Sequence, residues 1–301
     1  PSIFLKKTKN LFINSFNYYI WTYCKTNSRK MQKALTSSLI IFLLFFQITN
    51  AQQPQKPNSV VIYNQIQKLN FLGSVLYIAA HPDDENTRLI SYLSNETKAR
   101  TAYLSLTRGD GGQNLIGSQL RELLGVIRTQ ELIEARKIDG GEQLFTRAND
   151  FGFSKNPGET LEIWDKEKVL ADIIFAIRKF QPDVIINRFD HRTSGNTHGH
   201  HSASAILSVE SFNKASDPTV FPEQLTLVQP WQTKRQFFNP SWWFYGSQAK
   251  FDAADKTNFI SMQTGVYYSS IGKSNQEIAA LSRSCHQSQG FGSTGNRGEE
   301  T

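Results

Sequence analysis

Cysteine is nearly absent from this sequence, whose 301 residues contain only Cys24 and Cys285. Cys24 lies in a basic, aromatic-rich stretch, 1–30, which precedes the first methionine and which we interpret as upstream or non-native leader sequence. Cys285 then stands alone, so an internal disulfide and a cysteine-ligated metal site are both excluded in the remainder. An exported protein without disulfides is compatible with a bacterial periplasm.

Acidic residues are absent from positions 1–51, which carry seven lysines and arginines. These seven account for the whole formal net charge of +7, so basic and acidic residues balance in 52–301. A protein that binds nucleic acid concentrates positive charge in its folded domain. The charge distribution therefore argues against a nucleic-acid partner.

Long hydrophobic runs are also missing. The longest, Leu39–Phe46, is far shorter than the ~20 residues that a membrane-spanning helix needs. It follows a short basic start at Met31 and precedes the small residue Ala51, a pattern typical of a secretory signal peptide over 31–51. We therefore expect a periplasmic or secreted protein with no membrane span after cleavage; the alternative is an uncleaved signal anchor.

Three apolar runs downstream are predicted to be buried strands, with helical patterns between them. The strands are Val75–Ala80, Thr101–Thr107 and Asp183–Phe189. Strands that alternate with helices predict an α/β fold, Rossmann-like, with a mostly parallel sheet flanked by helices. The segment 52–73 is predicted to be a linker and entry segment, 74–290 a single domain, and 291–301 a tail that lacks a closing element.

The helices are predicted from apolar spacing and from capping residues. A first helix is expected over 84–93. A second carries one apolar face, made of Leu120, Leu123, Leu124 and Ile127. A third begins at Asp165 as its N-cap and ends at Gln181–Pro182. Ser274 and Glu277 have the spacing of a capping box for a fourth, over 274–285.

Two polar clusters follow predicted strands at the edge of the sheet where such folds bind ligands. The first is the run from His81 to Glu85, HPDDE, directly after Ala80. Carboxylates this close together repel one another unless a cation lies among them, which favours a divalent metal. The second cluster, 191–201, follows the strand that ends at Phe189. It holds four of the six histidines, which are His191, His198, His200 and His201.

Together the clusters contain the parts of a hydrolytic metal site. Two histidines and one carboxylate suit Zn²⁺ with an open position for water. A spare carboxylate can act as general base on that water, and a spare histidine can stabilise an oxyanion. The alternative for each histidine taken singly is a solvated loop residue.

The motifs AHPDDE at 80–85, TRGDGG at 107–112, Arg128-x-x-Glu131-x-x-x-Ala135 and HGHH at 198–201 resemble the PIG-L/LmbE-like N-acetylglucosaminyl deacetylases. The resemblance runs from about Ser74 to Ser211 and continues more weakly through His286–Gln289. The AHPDDE motif and its placement after a strand are its most specific part. The chain departs from the family's common His-Pro-Asp-His form, because Gly199 and His200 stand in the middle.

The resemblance implies roles position by position. His81, Asp84 and His201 would be the zinc ligands, although another divalent metal is possible, and Asp83 would be the general base. His198 would stabilise the tetrahedral intermediate and protonate the departing amine. Arg128 falls where the family has an arginine that binds substrate. Asp190 or another carboxylate would replace the aspartate of the His-Pro-Asp-His form, which this chain lacks.

Other residues keep two interpretations each. Glu85 either hydrogen-bonds a ligand histidine or opens a helix. Asp110 belongs to a glycine-rich loop that binds substrate or merely turns. Trp242–Tyr245 is either a stacking platform for sugar rings or, more commonly for such residues, core. His286 is interpreted as a structural residue near a helix end, with a ligand role as the alternative.

The sequence thus predicts an exported, zinc-dependent hydrolase with a single catalytic domain. Its substrate would be an N-acetylated sugar or glycoconjugate, which loses acetate. The alternatives are a metal-dependent amidase that acts on a non-sugar amide and a non-catalytic carbohydrate-binding domain. The oligomeric state cannot be inferred from the sequence.

Overall fold

The structure is a computed structural model that describes residues 25, 28, 30, 32–33, 35–38, 56–192, 197–292 and 295. The chain divides into a leading unit, 1–58, and a compact unit, 59–301. The apolar run Leu39–Phe46, on which the predicted signal peptide depends, lies outside the described residues. Within the described part, no helix combines the length and apolar character that crossing a bilayer requires.

The compact unit alternates helices and strands along the chain. In order they are α1 (Ser59–Lys68), β1 (Ser74–Ala79), α2 (Thr87–Asn95), β2 (Arg100–Ser105), α3 (Glu122–Asp139), β3 (Glu142–Phe145), α4 (Pro157–Ile163), α5 (Lys166–Phe180), β4 (Val184–Asn187), α6 (Gly199–Lys214), β5 (Arg235–Phe238), α7 (Gln248–Asp252), β6 (Tyr267–Tyr268), β7 (Lys273–Ser274) and α8 (Asn275–Arg283). Short 3₁₀ turns lie at Pro222–Thr226, Trp242–Tyr245 and Gln287–Gln289.

The five longer strands form one parallel sheet in the order β3-β2-β1-β4-β5. Strand β1 lies at its centre and is buried along its whole length. On one face, Leu76 and Ile78 pack with residues of α5 and α6; on the other, Val75 and Tyr77 pack with α2. Helices cover both faces, as a parallel sheet requires. The predicted Rossmann-like α/β architecture is confirmed.

The edge strands β3 and β5 were missed by the sequence analysis. Each has four residues, and each mixes charged or polar residues with apolar ones. Such a run has no buried-strand signature, because an edge strand is paired on one side only. Tertiary pairing with β2 and β4 decides the conformation of these two segments.

The predicted core face of the second helix was wrong. In α3, Leu124 is fully buried, but Leu123 is 63% exposed and Leu120 precedes the helix and is also exposed. The buried face instead carries Arg128 and Arg136, beside smaller apolar residues. Charged residues are rarely buried unless they are paired, so hydrophobic spacing alone could not find this face.

The helix caps were predicted in part. Ser274 and Glu277 form the expected capping box at the start of α8. The helix expected from residue 84 begins at Thr87, after Asn86 as its N-cap. Asp165 does precede α5, but its backbone is left-handed and its side chain makes no capping hydrogen bond. That carboxylate pairs with Lys168 on the surface.

Candidate metal centre

Two neighbouring strands deliver the two histidine clusters to one edge of the sheet. Strand β1 leads directly into the loop that carries His81, and β4, which pairs with β1, leads towards α6. His198 is the N-cap of α6, so His200 and His201 lie in its first turn. The rings of His81 and His201 are 5.2 Å apart, centre to centre. Convergence of the two clusters, which the sequence predicted, is therefore present in the fold.

His81, Asp84 and His201 offer three donor atoms that fit one ion. Their ligand atoms all lie within 4.8 Å of one another. His81 Nδ1 is 3.2 Å from one oxygen of Asp84, and His201 Nε2 is 3.5 Å from the other. Two ligands on a tetrahedral zinc ion, with bonds of about 2.0–2.1 Å, stand roughly 3.3–3.4 Å apart. Both the spacing and the nitrogen–oxygen donor set therefore suit zinc.

In a second histidine group, His81, His198 and His200, the ligand atoms also lie within 4.8 Å of one another. Its geometry differs. His81 Nε2 and His200 Nδ1 are 2.9 Å apart, which is the usual distance of a hydrogen bond and shorter than the roughly 3.3–3.4 Å between two ligands of a tetrahedral zinc ion. His198 is engaged as well, because its Nε2 lies 3.2 Å from the backbone nitrogen of Ser154 and its Nδ1 lies 3.3 Å from that of His200. A neutral imidazole can accept a hydrogen bond from only one of these N–H groups. The set with Asp84 is the better ligand candidate.

Burial and electrostatic contacts determine the protonation states of His201 and Asp84. His201 is held face to face against Phe189, with ring centres 3.8 Å apart. Burial lowers the pKa of His201 to about 3, so its imidazole is neutral, as a metal ligand must be. Burial alone would raise the pKa of Asp84, but its interactions with the two histidines, including hydrogen bonds from the side chain and the backbone N–H of His81, outweigh it and hold the pKa below its usual range. Asp84 is therefore an anionic ligand.

Asp83 lies beside this group but is not part of it. Its backbone is left-handed, with φ at 82°, and its side chain contacts Arg128. The carboxylate is 3.2 Å from the Arg128 guanidinium. Burial raises the pKa of Asp83 to about 6, and Arg128 opposes the rise. The loop thus presents one carboxylate to the ligand group and keeps the next one spare.

Arg128 links the HPDDE loop and the glycine-rich loop through hydrogen bonds. It is almost completely buried, and it donates hydrogen bonds to the backbone oxygens of Pro82 and Gly109. Gly109 has a left-handed backbone, with φ at 70°, and a Cβ there would lie 2.3 Å from the Arg128 guanidinium. The structure places Arg128 against the HPDDE loop and the glycine-rich loop together. Its binding of substrate stays a prediction.

Glu85 does not hydrogen-bond a ligand histidine, and it does not open the helix. One of its oxygens is 2.7 Å from His286 Nε2 and 3.2 Å from Arg136; the other accepts the backbone N–H of Asp83. Burial raises the pKa of Glu85, but His286 and Arg136 outweigh this and lower it to about 2. Both sequence interpretations of Glu85 were wrong, because its partners come from the distant α3 and from the turn after α8.

The end of α8 and the segment that follows it contact the HPDDE loop, α3 and the glycine-rich loop. Arg283 donates to the backbone oxygen of Asp83, and His286 contacts Glu85. Ser288 donates through its N–H and hydroxyl to Glu131, and Gln289 donates to the backbone oxygen of Gln113. His286 is fully buried, as its interpretation as a structural residue implies.

Asp190 pairs with Arg192 and lies 3.6 Å from His191. Its role beside the other histidines stays a prediction. A second carboxylate, Asp150, lies next to two of them: one oxygen is 3.7 Å from His200 Nδ1 and the other 4.0 Å from His81 Nε2. Asp150 was missed because it lies in an irregular loop after β3 and belongs to no motif.

The last two candidates from the sequence are Asp110 and the aromatic segment Trp242–Tyr245. Asp110 packs against Gly125 of α3, and burial raises its pKa. Trp242 and Trp243 are each 51% exposed, so they are not core residues. Phe244 packs on Phe189, whose ring stacks on His201. Substrate binding by Asp110 and sugar stacking by the two tryptophans stay predictions.

The part of the chain that carries both histidine clusters is similar to known proteins. Residues 76–211 match the family model described as "PIG-L: GlcNAc-PI de-N-acetylase". A curated relative from Frankia casuarinae, 1D-myo-inositol 2-acetamido-2-deoxy-alpha-D-glucopyranoside deacetylase 2, is 25% identical over 163 residues, which are 53% of this chain and 49% of the relative. The chain thus spans about half the length of this relative.

A solved structure shares the fold. It is an N,N'-diacetylchitobiose deacetylase from Pyrococcus horikoshii, crystallised with an inhibitor. The TM-score is 0.50 and the identity 18%, and the match covers 79% of this chain and 82% of the other. At this identity the likeness concerns the fold alone.

Proposed function

The domain that includes residues 76–211 belongs to the PIG-L/LmbE-like deacetylase family, and from that premise we propose that the protein is a metal-dependent hydrolase that removes acetyl groups from N-acetylated amino sugars or their conjugates. One observation carries the proposal. His81, Asp84 and His201 form a zinc-compatible donor set, and a second carboxylate, Asp83, lies beside it without joining it.

The donor set would hold a divalent ion, most simply Zn²⁺, which supplies Lewis-acid polarisation of the acetamide carbonyl and a lowered pKa for bound water. The chain's own groups supply the proton transfers. Asp83 accepts a proton from the attacking water, and Arg128 holds the Asp83 carboxylate in place. The products are acetate and the free amine.

We assign the protonation of the departing amine to His198. Its ring centre is 5.5 Å from that of His81 and 5.3 Å from that of His201, so it borders the donor set. Burial lowers its pKa, so the imidazole is neutral at rest. The proton that it passes to the amine nitrogen is the one that Asp83 removes from water. Its Nε2 lies 3.2 Å from the backbone nitrogen of Ser154, and substrate would compete with that contact.

The substrate class is tested by acetate release from the full chain. The panel contains N-acetylglucosamine, N,N'-diacetylchitobiose, the inositol-linked N-acetylglucosamine that the Frankia relative's name specifies, and a non-sugar acetamide. We expect release from at least one sugar, loss of release with chelator and recovery on adding zinc. Release from the non-sugar amide alone would favour the amidase alternative. Metal binding without release from any substrate would favour a binding domain.

Substituting Gly109 tests the bracing by Arg128. In Gly109→Ala the new methyl group collides with the Arg128 guanidinium, which must leave Asp83 and Pro82. A displacement of about 1 Å at a catalytic group can lower turnover about 100-fold, and we expect a loss of that order in acetate release.

Gly246→Ala is the matched control for this change. Gly246 also has a left-handed backbone, with φ at 81°, but nothing lies within 4 Å of the added Cβ. Both variants carry a similar conformational cost of about 1 kcal/mol. If both lowered turnover equally, backbone strain would be the cause and the bracing by Arg128 would be wrong.

A further inference from the structure

His200 stands where the related family commonly has an aspartate, and the proposed reaction does not use it. It is fully buried at the start of α6. Its ring packs against those of Phe151 and Trp164, with centres 4.4 and 4.9 Å away. Its Nδ1 is 2.9 Å from His81 Nε2, and Asp150 lies 3.7 Å from the same Nδ1. Within the described part of the chain, its Nε2 has no hydrogen-bond partner.

The direction of the bond between the two histidines follows from the ligand geometry. His81 faces Asp84 with Nδ1, so this nitrogen is the one available to an ion. A neutral imidazole that coordinates through Nδ1 keeps its proton on Nε2. That proton points at His200 Nδ1, which must then be an acceptor. A histidine that binds metal usually donates its other N–H to a carboxylate, a backbone carbonyl or water, which fixes its tautomer and orientation. Here an imidazole nitrogen stands in the acceptor's place.

We propose that His200 is a positioning residue for the metal centre, which accepts the Nε2–H of His81 and thereby fixes the tautomer that leaves His81 Nδ1 free to coordinate. The inference rests on the proposed function, since it needs an ion at His81. It also explains why His81, His198 and His200 cluster without forming a second ligand set. The packed rings of Phe151 and Trp164 hold His200 at hydrogen-bond distance.

Two substitutions of similar size separate the hydrogen bond from the packing. Asparagine carries an oxygen at the δ position, where His200 carries Nδ1, so His200→Asn keeps an acceptor. Leucine has only methyl groups there, so His200→Leu loses it. Zinc affinity of the full chain is measured by competition with a chromophoric chelator. We expect His200→Leu to weaken binding about 10- to 100-fold and His200→Asn to stay within a few-fold of the wild type.

Equal weakening in both variants would overturn the proposal, because the role would then be packing. Unchanged affinity in His200→Leu would overturn it as well, while leaving the metal centre intact. A wild-type chain that binds no divalent metal would instead contradict the proposed function itself.

The tautomer of His81 gives a second test that needs no substitution at position 200. In the zinc-loaded full chain with ¹⁵N-labelled histidine, we expect NMR spectra to show His81 protonated at Nε2, with the signal assigned by its loss in His81→Asn. Protonation at Nδ1, with Nε2 on the metal, would overturn the assignment of His200 as acceptor.

Discussion

Replacing Asp83 by asparagine is expected to lower the rate of acetate release by about 10²- to 10⁴-fold, while the protein keeps its metal. The loss is the usual contribution of a general base. The metal stays because Asp83 is turned towards Arg128 and is not one of the three donors. Asparagine tolerates the left-handed backbone at this position, so the loop keeps its shape. The measurements are kcat and zinc content per chain.

Asp165→Asn is the matched control for this prediction. Asp165 also has a left-handed backbone, and its carboxylate pairs with Lys168 on the surface, away from the metal centre. It should keep full turnover. If Asp83→Asn lost zinc as well as activity, Asp83 would be a ligand and not a base. If it kept its activity, another group would perform the proton transfer.

Replacing Arg136 by methionine is expected to cost about 3–5 kcal/mol of folding free energy, because it leaves buried carboxylates without their cation. The guanidinium contacts Asp139 at 2.5 Å and Glu85 at 3.2 Å, and all three side chains are buried. Ser282 of α8 also donates to Asp139, so the group joins α3, α8 and the HPDDE loop. Urea unfolding of the full chain measures the change.

Arg147→Met serves as the control for Arg136→Met. Arg147 pairs with Asp172 at 2.7 Å, but its side chain is 58% exposed. Exposed ion pairs contribute at most about 1 kcal/mol, so this variant should unfold close to the wild type. Similar unfolding midpoints for the two variants would mean that the buried group does not hold α3 and α8 to the loop.

The sequence predicted those parts of the fold that have a local signature. Strand β1 is central and buried along its whole length, and the HPDDE run follows it closely. The position of the site could therefore be predicted from a single segment. The histidine cluster followed in the same way from β4. Edge strands β3 and β5 have no such signature, because pairing with a neighbour creates them.

The contacts that support the site were beyond the sequence, because their partners are far apart along the chain. Glu85 meets His286 across 201 positions and Arg136 across 51. Asp150 approaches His200 from an irregular loop. The buried face of α3 carries arginines, which sequence rules assign to the surface. In each case a charged residue contacts a partner that only the folding of the chain brings close.

The central claim is that His81, Asp84 and His201 hold the ion on which the proposed hydrolysis depends. A crystal of the zinc-loaded full chain, measured at the zinc absorption edge, tests it most directly. The account predicts one anomalous peak within about 2.0–2.2 Å of His81 Nδ1, an Asp84 oxygen and His201 Nε2, with His200 outside the ligand set. A peak among His81, His198 and His200, or no peak in this region, would contradict it.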